Sequence, residues 1–149
     1  MISPLYLLDT NILVHLVRGD AVGERIRTVY SPALLNPPPL ISIVTEGELR
    51  SLAYKFSWGK SKVELALFYL SYFKRVSIDQ PEIYEAYAAI DAFSVSAGYV
   101  MGKNDLWIAA TAHVTGACLL TTDTDFDHLD PNFLNREWIN PSKEKKAGS

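Results

Sequence analysis

This chain is poor in cysteine, in histidine and in net charge, and each shortage narrows what it can be. Its 149 residues hold one cysteine, Cys118, which excludes an intramolecular disulfide framework. Cys118 lies in an apolar run and reads as a buried structural thiol, in keeping with a reducing cytoplasm. The three histidines, His15, His113 and His128, share no metal-ligand spacing; unpaired histidines of this kind are expected to be structural or solvated. A net charge of −3 and a pI near 5.6 leave no basic stripe, so any nucleic-acid partner would have to be held by local charge and metal. Long apolar runs are missing too. The first residues are apolar, but Pro4 and Asp9 interrupt them with no basic leader or cleavage signal, and no stretch is long enough to span a bilayer. The expectation is a soluble cytoplasmic protein with no membrane partner.

What is present is a core. With 48% hydrophobic residues, the chain can fill one domain and is too short for two ordinary ones. Short apolar runs alternate with longer amphipathic ones, the pattern of an α/β domain with a mainly parallel sheet. Strands are expected at Leu5 to Asp9, Leu40 to Ile43, Arg75 to Ile78 and Ala117 to Thr121, with a candidate edge strand at Glu137 to Ile139. Helices are expected from Ile12 to a stop at Gly19, and over Ala21 to Tyr30, Thr45 onward, Ser61 to Phe73, Pro81 to Ala97 and Asn104 to Val114. The short polar side chains of Asp9, Thr10 and Asn11 all suit the N-cap of the first helix, and Thr10 reads as a cap rather than a ligand. The Pro37-Pro38-Pro39 run must be loop, because proline lacks the amide proton a helix interior needs.

The acids fall in a pattern on this scaffold. Asp9 ends the first strand, Asp123 follows the strand ending at Thr121, Glu48 lies one turn into the helix after the second strand, and Asp105 opens another helix. In a parallel sheet these positions open on one rim, where open α/β sheets carry their sites. Taken singly, each acid has an ordinary reading as a cap, a turn residue or a solvated helix position. Gathered together, they would repel and raise one another's pKa unless a cation neutralised them. Oxygen ligands of this kind suit magnesium or manganese.

Four runs also match in order and spacing: Leu7-Leu8-Asp9-Thr10-Asn11-Ile12, Thr45-Glu46-Gly47-Glu48-Leu49-Arg50, Asn104-Asp105-Leu106-Trp107-Ile108-Ala109-Ala110, and Leu119-Leu120-Thr121-Thr122-Asp123-Thr124-Asp125-Phe126. Together they resemble the signature blocks of PIN-domain nucleases, and by length most of all VapC-like toxins of toxin-antitoxin pairs. The resemblance implies a single PIN-like α/β domain over residues 1–142, with a mainly parallel sheet of four to five strands flanked by helices. Residues 143–149 are left as a solvated, mobile tail.

The resemblance further implies a metal-dependent endoribonuclease that hydrolyses RNA phosphodiesters through carboxylate-bound magnesium or manganese. Asp9, Glu48, Asp105 and Asp123 would be the catalytic acids. Asp9, Asp105 and Asp123 would touch the metal, with Glu48 and Asp125 reaching it through water. Asn11 and Thr121 would position the acids by hydrogen bonds. Glu46 is set aside, because residues two apart on a helix point about 200° apart. Lys103 is a candidate phosphate contact. Trp107 reads as core rather than a base-stacking platform. The implied partners are RNA, a small antitoxin seated in an apolar groove, and a second copy of the chain as a homodimer. Excess large apolar residues around Leu49, Leu52, Tyr54, Phe56, Trp58 and Phe68 are where such a groove is expected. A free-standing RNA-processing PIN nuclease and an inactive PIN-like binding module are the alternatives.

Overall fold

The architecture is taken from a computed structural model, which describes residues 2–142. The basic tail expected to be mobile lies outside the described residues. Five strands form one all-parallel sheet in the order β3-β2-β1-β4-β5. They are β1 (Tyr6–Leu8), β2 (Leu40–Ser42), β3 (Lys74–Val76), β4 (Cys118–Thr121) and β5 (Arg136–Trp138). Six helices connect them: α1 (Thr10–Arg18), α2 (Ala21–Tyr30), α3 (Ile43–Lys55), α4 (Lys60–Tyr72), α5 (Pro81–Ser96) and α6 (Lys103–Thr115). Every element expected from the sequence is present.

The central strands are apolar on both faces because helices cover both. Successive strand side chains point to opposite sides, and the core divides accordingly. Tyr6, Leu8, Ile41 and Leu120 pack with α1, α2 and α4 through Leu13, Leu16, Ile26 and Tyr69. Leu7, Leu40 and Leu119 pack on the other side with α5 and α6 through Ile83, Ile90, Ile108 and Ala109. In the first of these layers, α1 and α2 approach so closely at Gly23 that a Cβ there would lie 2.1 Å from the His15 carbonyl oxygen.

Local chemistry corrects the expected boundaries. The N-cap of α1 is Asp9, not Thr10: the Asp9 carboxylate accepts from the Thr10 amide at 2.8 Å, and Thr10 is the first helical residue. Helix α3 begins at Ile43, two residues before the expected Thr45, because the Ser42 hydroxyl accepts the Val44 amide and caps the helix where the strand ends. Gly19 closes α1 in the left-handed conformation at φ +64°, a geometry that glycine adopts without steric cost. Strands β3 and β5 each start one residue earlier than expected. Both are edge strands with exposed charged residues, so burial periodicity marks their ends poorly.

Candidate active site

The chain runs outward from β1 to β3 on one side of the sheet, then returns to add β4 and β5 on the other. The reversal lies between β1 and β4, and the loops leaving their carboxyl ends diverge there to open a crevice. Asp9 follows β1 and Asp123 follows β4, so both acids flank that opening. Asp105 joins them from the first turn of α6, and Glu48 from the second turn of α3.

Asp9 is almost fully buried, at 4% exposure. Its Oδ1 accepts the Thr10 amide at 2.8 Å and its Oδ2 accepts the Thr121 hydroxyl at 2.7 Å. The Thr121 Oγ1 in turn accepts the Asp123 amide at 2.9 Å, so one hydroxyl ties the acid of β1 to the acid loop of β4. Asn11 braces the same loop, its Oδ1 accepting the Thr122 amide at 3.4 Å. Asp123 Oδ1 then accepts the Asp125 amide at 3.0 Å. The next residue, Phe126, is fully buried in the second core and anchors this turn.

Carboxylate oxygens of Asp105, Asp123 and Asp125 lie within 4.8 Å of one another. That spacing suits oxygen ligands converging on one hard cation. Asp125, placed at the margin of the site from sequence, belongs spatially to this trio. Asp9 and Glu48 are close enough to act on Asp105 by charge. Burial first, then the charges of Asp9, Asp123, Asp125 and Glu48, push the Asp105 carboxyl from 3.8 to about 7. Burial likewise raises Asp9 to about 6 against the lowering effect of its two hydrogen bonds, with Asp123 and Glu48 adding to the rise. Asp125 is raised by burial and by Asp123. Carboxylates brought this close, three of them with their charged form penalised by burial and by neighbouring acids, are a donor set whose chemistry fits a divalent cation.

Glu48 is held by residues that sequence reasoning had read otherwise or passed over. The Thr10 hydroxyl donates to Glu48 Oε1 at 2.6 Å and also bonds the Thr45 hydroxyl at 3.0 Å. Asn104 Nδ2 donates to Glu48 Oε2 at 3.2 Å. The available signals were adjacency, Thr10 beside Asp9 and Asn104 beside Asp105, and the helical i,i+3 step from Thr45 to Glu48.

Other residues are drawn elsewhere. Glu46 pairs with Arg50 at 3.0 Å and Arg75 at 2.7 Å, which hold its carboxyl below the usual range. Lys103 opens α6 beside Asp105. Trp107 is half-buried and packs on Tyr87 with ring centroids 4.2 Å apart. His15 pairs with Asp20, His113 with the Phe133 carbonyl and His128 with Ser94. Cys118 is half-buried rather than buried, at the start of β4, and burial pushes its thiol up to about 11. It offers no thiolate nucleophile at neutral pH.

The PIN domain family model matches residues 6–131 of this chain. The chain belongs to the PIN-domain family. Solved structures similar to this PIN domain include FitAcB from Neisseria gonorrhoeae, at 27% identity and a TM-score of 0.74 over 93% of this chain and 99% of that one. A toxin-antitoxin complex from Klebsiella pneumoniae matches at 25% identity and a TM-score of 0.65 over 84% and 92%. VapBC2 from Rickettsia felis, bound to a DNA fragment from the VapBC promoter, shares the fold at 23% identity and a TM-score of 0.71 over 89% and 97%. Comparison with curated protein sequences returns no match. Among the described residues, no helix is long and apolar enough to cross a membrane.

Proposed function

We propose that this PIN domain is a VapC-like toxin, a cytoplasmic metal-dependent endoribonuclease restrained by a small antitoxin and acting as a homodimer. The observation that carries the reading is the convergence of Asp105, Asp123 and Asp125 within 4.8 Å, with Asp9 and Glu48 acting on Asp105 by charge. Asp105, Asp123 and Asp125 would hold magnesium or manganese. Bound there, the ion supplies a more acidic water and neutralises charge on a phosphodiester.

The protein's own residues set the geometry. Thr121 couples Asp9 to Asp123, so the loop carrying Asp123 and Asp125 is referenced to the central strands. Thr10 and Asn104 hold both oxygens of Glu48, which lines the pocket beside Asp105 and can accept a hydrogen bond from the attacking water. An apolar groove of about 430 Å³ between α3 and α4, lined by Leu49, Ala53, Tyr54, Trp58 and Val63, suits the antitoxin.

The purified protein should cleave RNA with magnesium or manganese and lose that activity in EDTA. Asp105→Asn should lower the rate by about a hundredfold or more, since even residues supporting a metal site cost about 10–100-fold. Equal rates for the parent and Asp105→Asn would overturn the reading.

A further inference from the structure

The three acids that converge come from two separate segments. Asp123 and Asp125 lie on the loop after β4, and Asp105 lies in the first turn of α6. Neither segment carries a side-chain cap of its own. Helix α6 starts from Gly102 without one, and so does the short 3-10 turn Asp127–Leu129 that follows Asp125. Ligand distances around a bound ion hold to about 0.2 Å, so carboxylates arriving from two such segments need the segments locked to each other.

One residue touches both. His128, three residues beyond Asp125, places its Nε2 2.8 Å from the Ser94 hydroxyl. Ser94 is fully buried in the last turn of α5, and its hydroxyl also donates to the Met101 sulfur at 3.3 Å. Met101 immediately precedes Gly102, the N-cap of α6. The connection between the two helices is folded back on the same serine, the Tyr99 amide donating to the Ser94 carbonyl at 2.8 Å. Tyr99 lays its ring on the imidazole, with centroids 4.2 Å and planes 13° apart, and Phe93 lies parallel to the imidazole at 6.3 Å. His128 is thus clasped by the end of α5 and by the connection that leads to Asp105.

These contacts also place the protons. Serine has one hydroxyl proton, and a thioether can only accept. Both bonds of Ser94 are made at once only if that proton goes to Met101 and the imidazole donates from Nε2. Nε2 carries a proton in this neutral tautomer and in the charged ring alike, so the clasp does not depend on titration. Ser94, costly to bury unpaired, is satisfied on both sides. An apolar contact would join the two segments; a fully satisfied chain of hydrogen bonds also fixes their direction.

We propose that His128 is a positioning residue for the acid cluster: through Ser94, Met101 and Tyr99 it locks the segment carrying Asp105 to the segment carrying Asp123 and Asp125, and so sets the gap between their carboxylates. The proposal rests on reading those three acids as a metal centre. His128 acts through the backbone and is not itself a ligand.

The test is titration calorimetry of the full chain with manganese alone, with amide hydrogen exchange of the metal-free protein as a second measurement. His128→Leu and Ser94→Ala should each weaken manganese binding about tenfold, the lower end of the range for residues that support a metal site. His128→Gln should stay within about twofold of the parent, because its amide can donate to Ser94 in place of Nε2 and the bond is kept. Combining His128→Leu with Ser94→Ala should cost no more than either change alone, since both break one interaction. Without metal, amides from Tyr99 to Asp105 and from Asp123 to His128 should exchange about fivefold to tenfold faster in His128→Leu, the effect of one hydrogen bond on local opening, while those of β1 and β2 keep the parent rate. Thermal melts report whether each variant is folded, and Ser94→Ala carries the same expectations if His128→Leu is not. The proposal is overturned by parent-like affinity and exchange in the folded variants, by a loss in His128→Gln as large as in His128→Leu, by additive losses in the double variant, or by faster exchange spread evenly over the sheet. A parent protein that binds no manganese overturns the metal reading, and the exchange pattern then decides whether His128 locks the two segments.

Discussion

Neutralising Asp9 should stabilise the metal-free protein, although Asp9 caps a helix and makes two hydrogen bonds. Its carboxyl is raised from 3.8 to about 6, chiefly because burial penalises the charged form. At 1.36 kcal/mol per pH unit, the ionised side chain costs the folded state about 3 kcal/mol at pH 8. In Asp9→Asn the new amide keeps the bond from the Thr10 N–H through its oxygen and can donate to Thr121 Oγ1 through its nitrogen, but it obliges the Thr121 proton to turn away from its present acceptor. Allowing about 1 kcal/mol for that loss leaves a net gain of about 2 kcal/mol. For a chain of this size the gain raises Tm by about 4–8 °C.

The sign with pH follows from the raised value. Below pH 4 the carboxyl carries its proton in both folded and unfolded chains and the cost is nearly absent. It grows as pH climbs from 4 to about 6 and is constant above that. Asp9→Asn should therefore melt higher than the parent at pH 8 in EDTA, with an advantage that shrinks toward pH 4. Saturating magnesium or manganese should stabilise the parent more than the variant; at a hundred times Kd a ligand contributes about 2.7 kcal/mol. Melts in EDTA at pH 8 showing Asp9→Asn no more stable than the parent would refute the account, as would an advantage that does not shrink in acid.

Two packing predictions are independent of metal. Gly23→Ala should destabilise the fold by about 1–3 kcal/mol in urea denaturation, because its Cβ would meet the His15 backbone at 2.1 Å and force α1 and α2 apart. Phe126→Ala should cost about 3–5 kcal/mol, as for other buried aromatics, and should also weaken manganese binding in calorimetry by freeing the turn that carries Asp125.

How far the sequence could be read differs from element to element. Strong periodicity over Ala21–Tyr30 and Pro81–Ser96 placed those helices within a residue, because their buried positions repeat at the helical interval. Edge strands β3 and β5 were shifted by a residue because they bury too little to mark their ends. Thr10 was misread because capping chemistry is shared by neighbouring short polar residues; which of them caps depends on the turn of the chain after β1.

Local sequence features settle the class of the protein: one α/β domain, an acid after each of two central strands, and further acids in the first two turns of two helices. They are carried by periodicity, caps and the spacing of four short runs, none of which needs a distant partner. Packing settles how the acids are shared out. Asp125 joins Asp105 and Asp123 because Phe126 is drawn into the core beside it, and Glu48 is steadied by Thr10 and Asn104 from helices far apart in sequence. Distances between carboxylates, and the low dielectric that raises Asp9 and Asp105, exist only once the sheet brings β1 and β4 together and covers them.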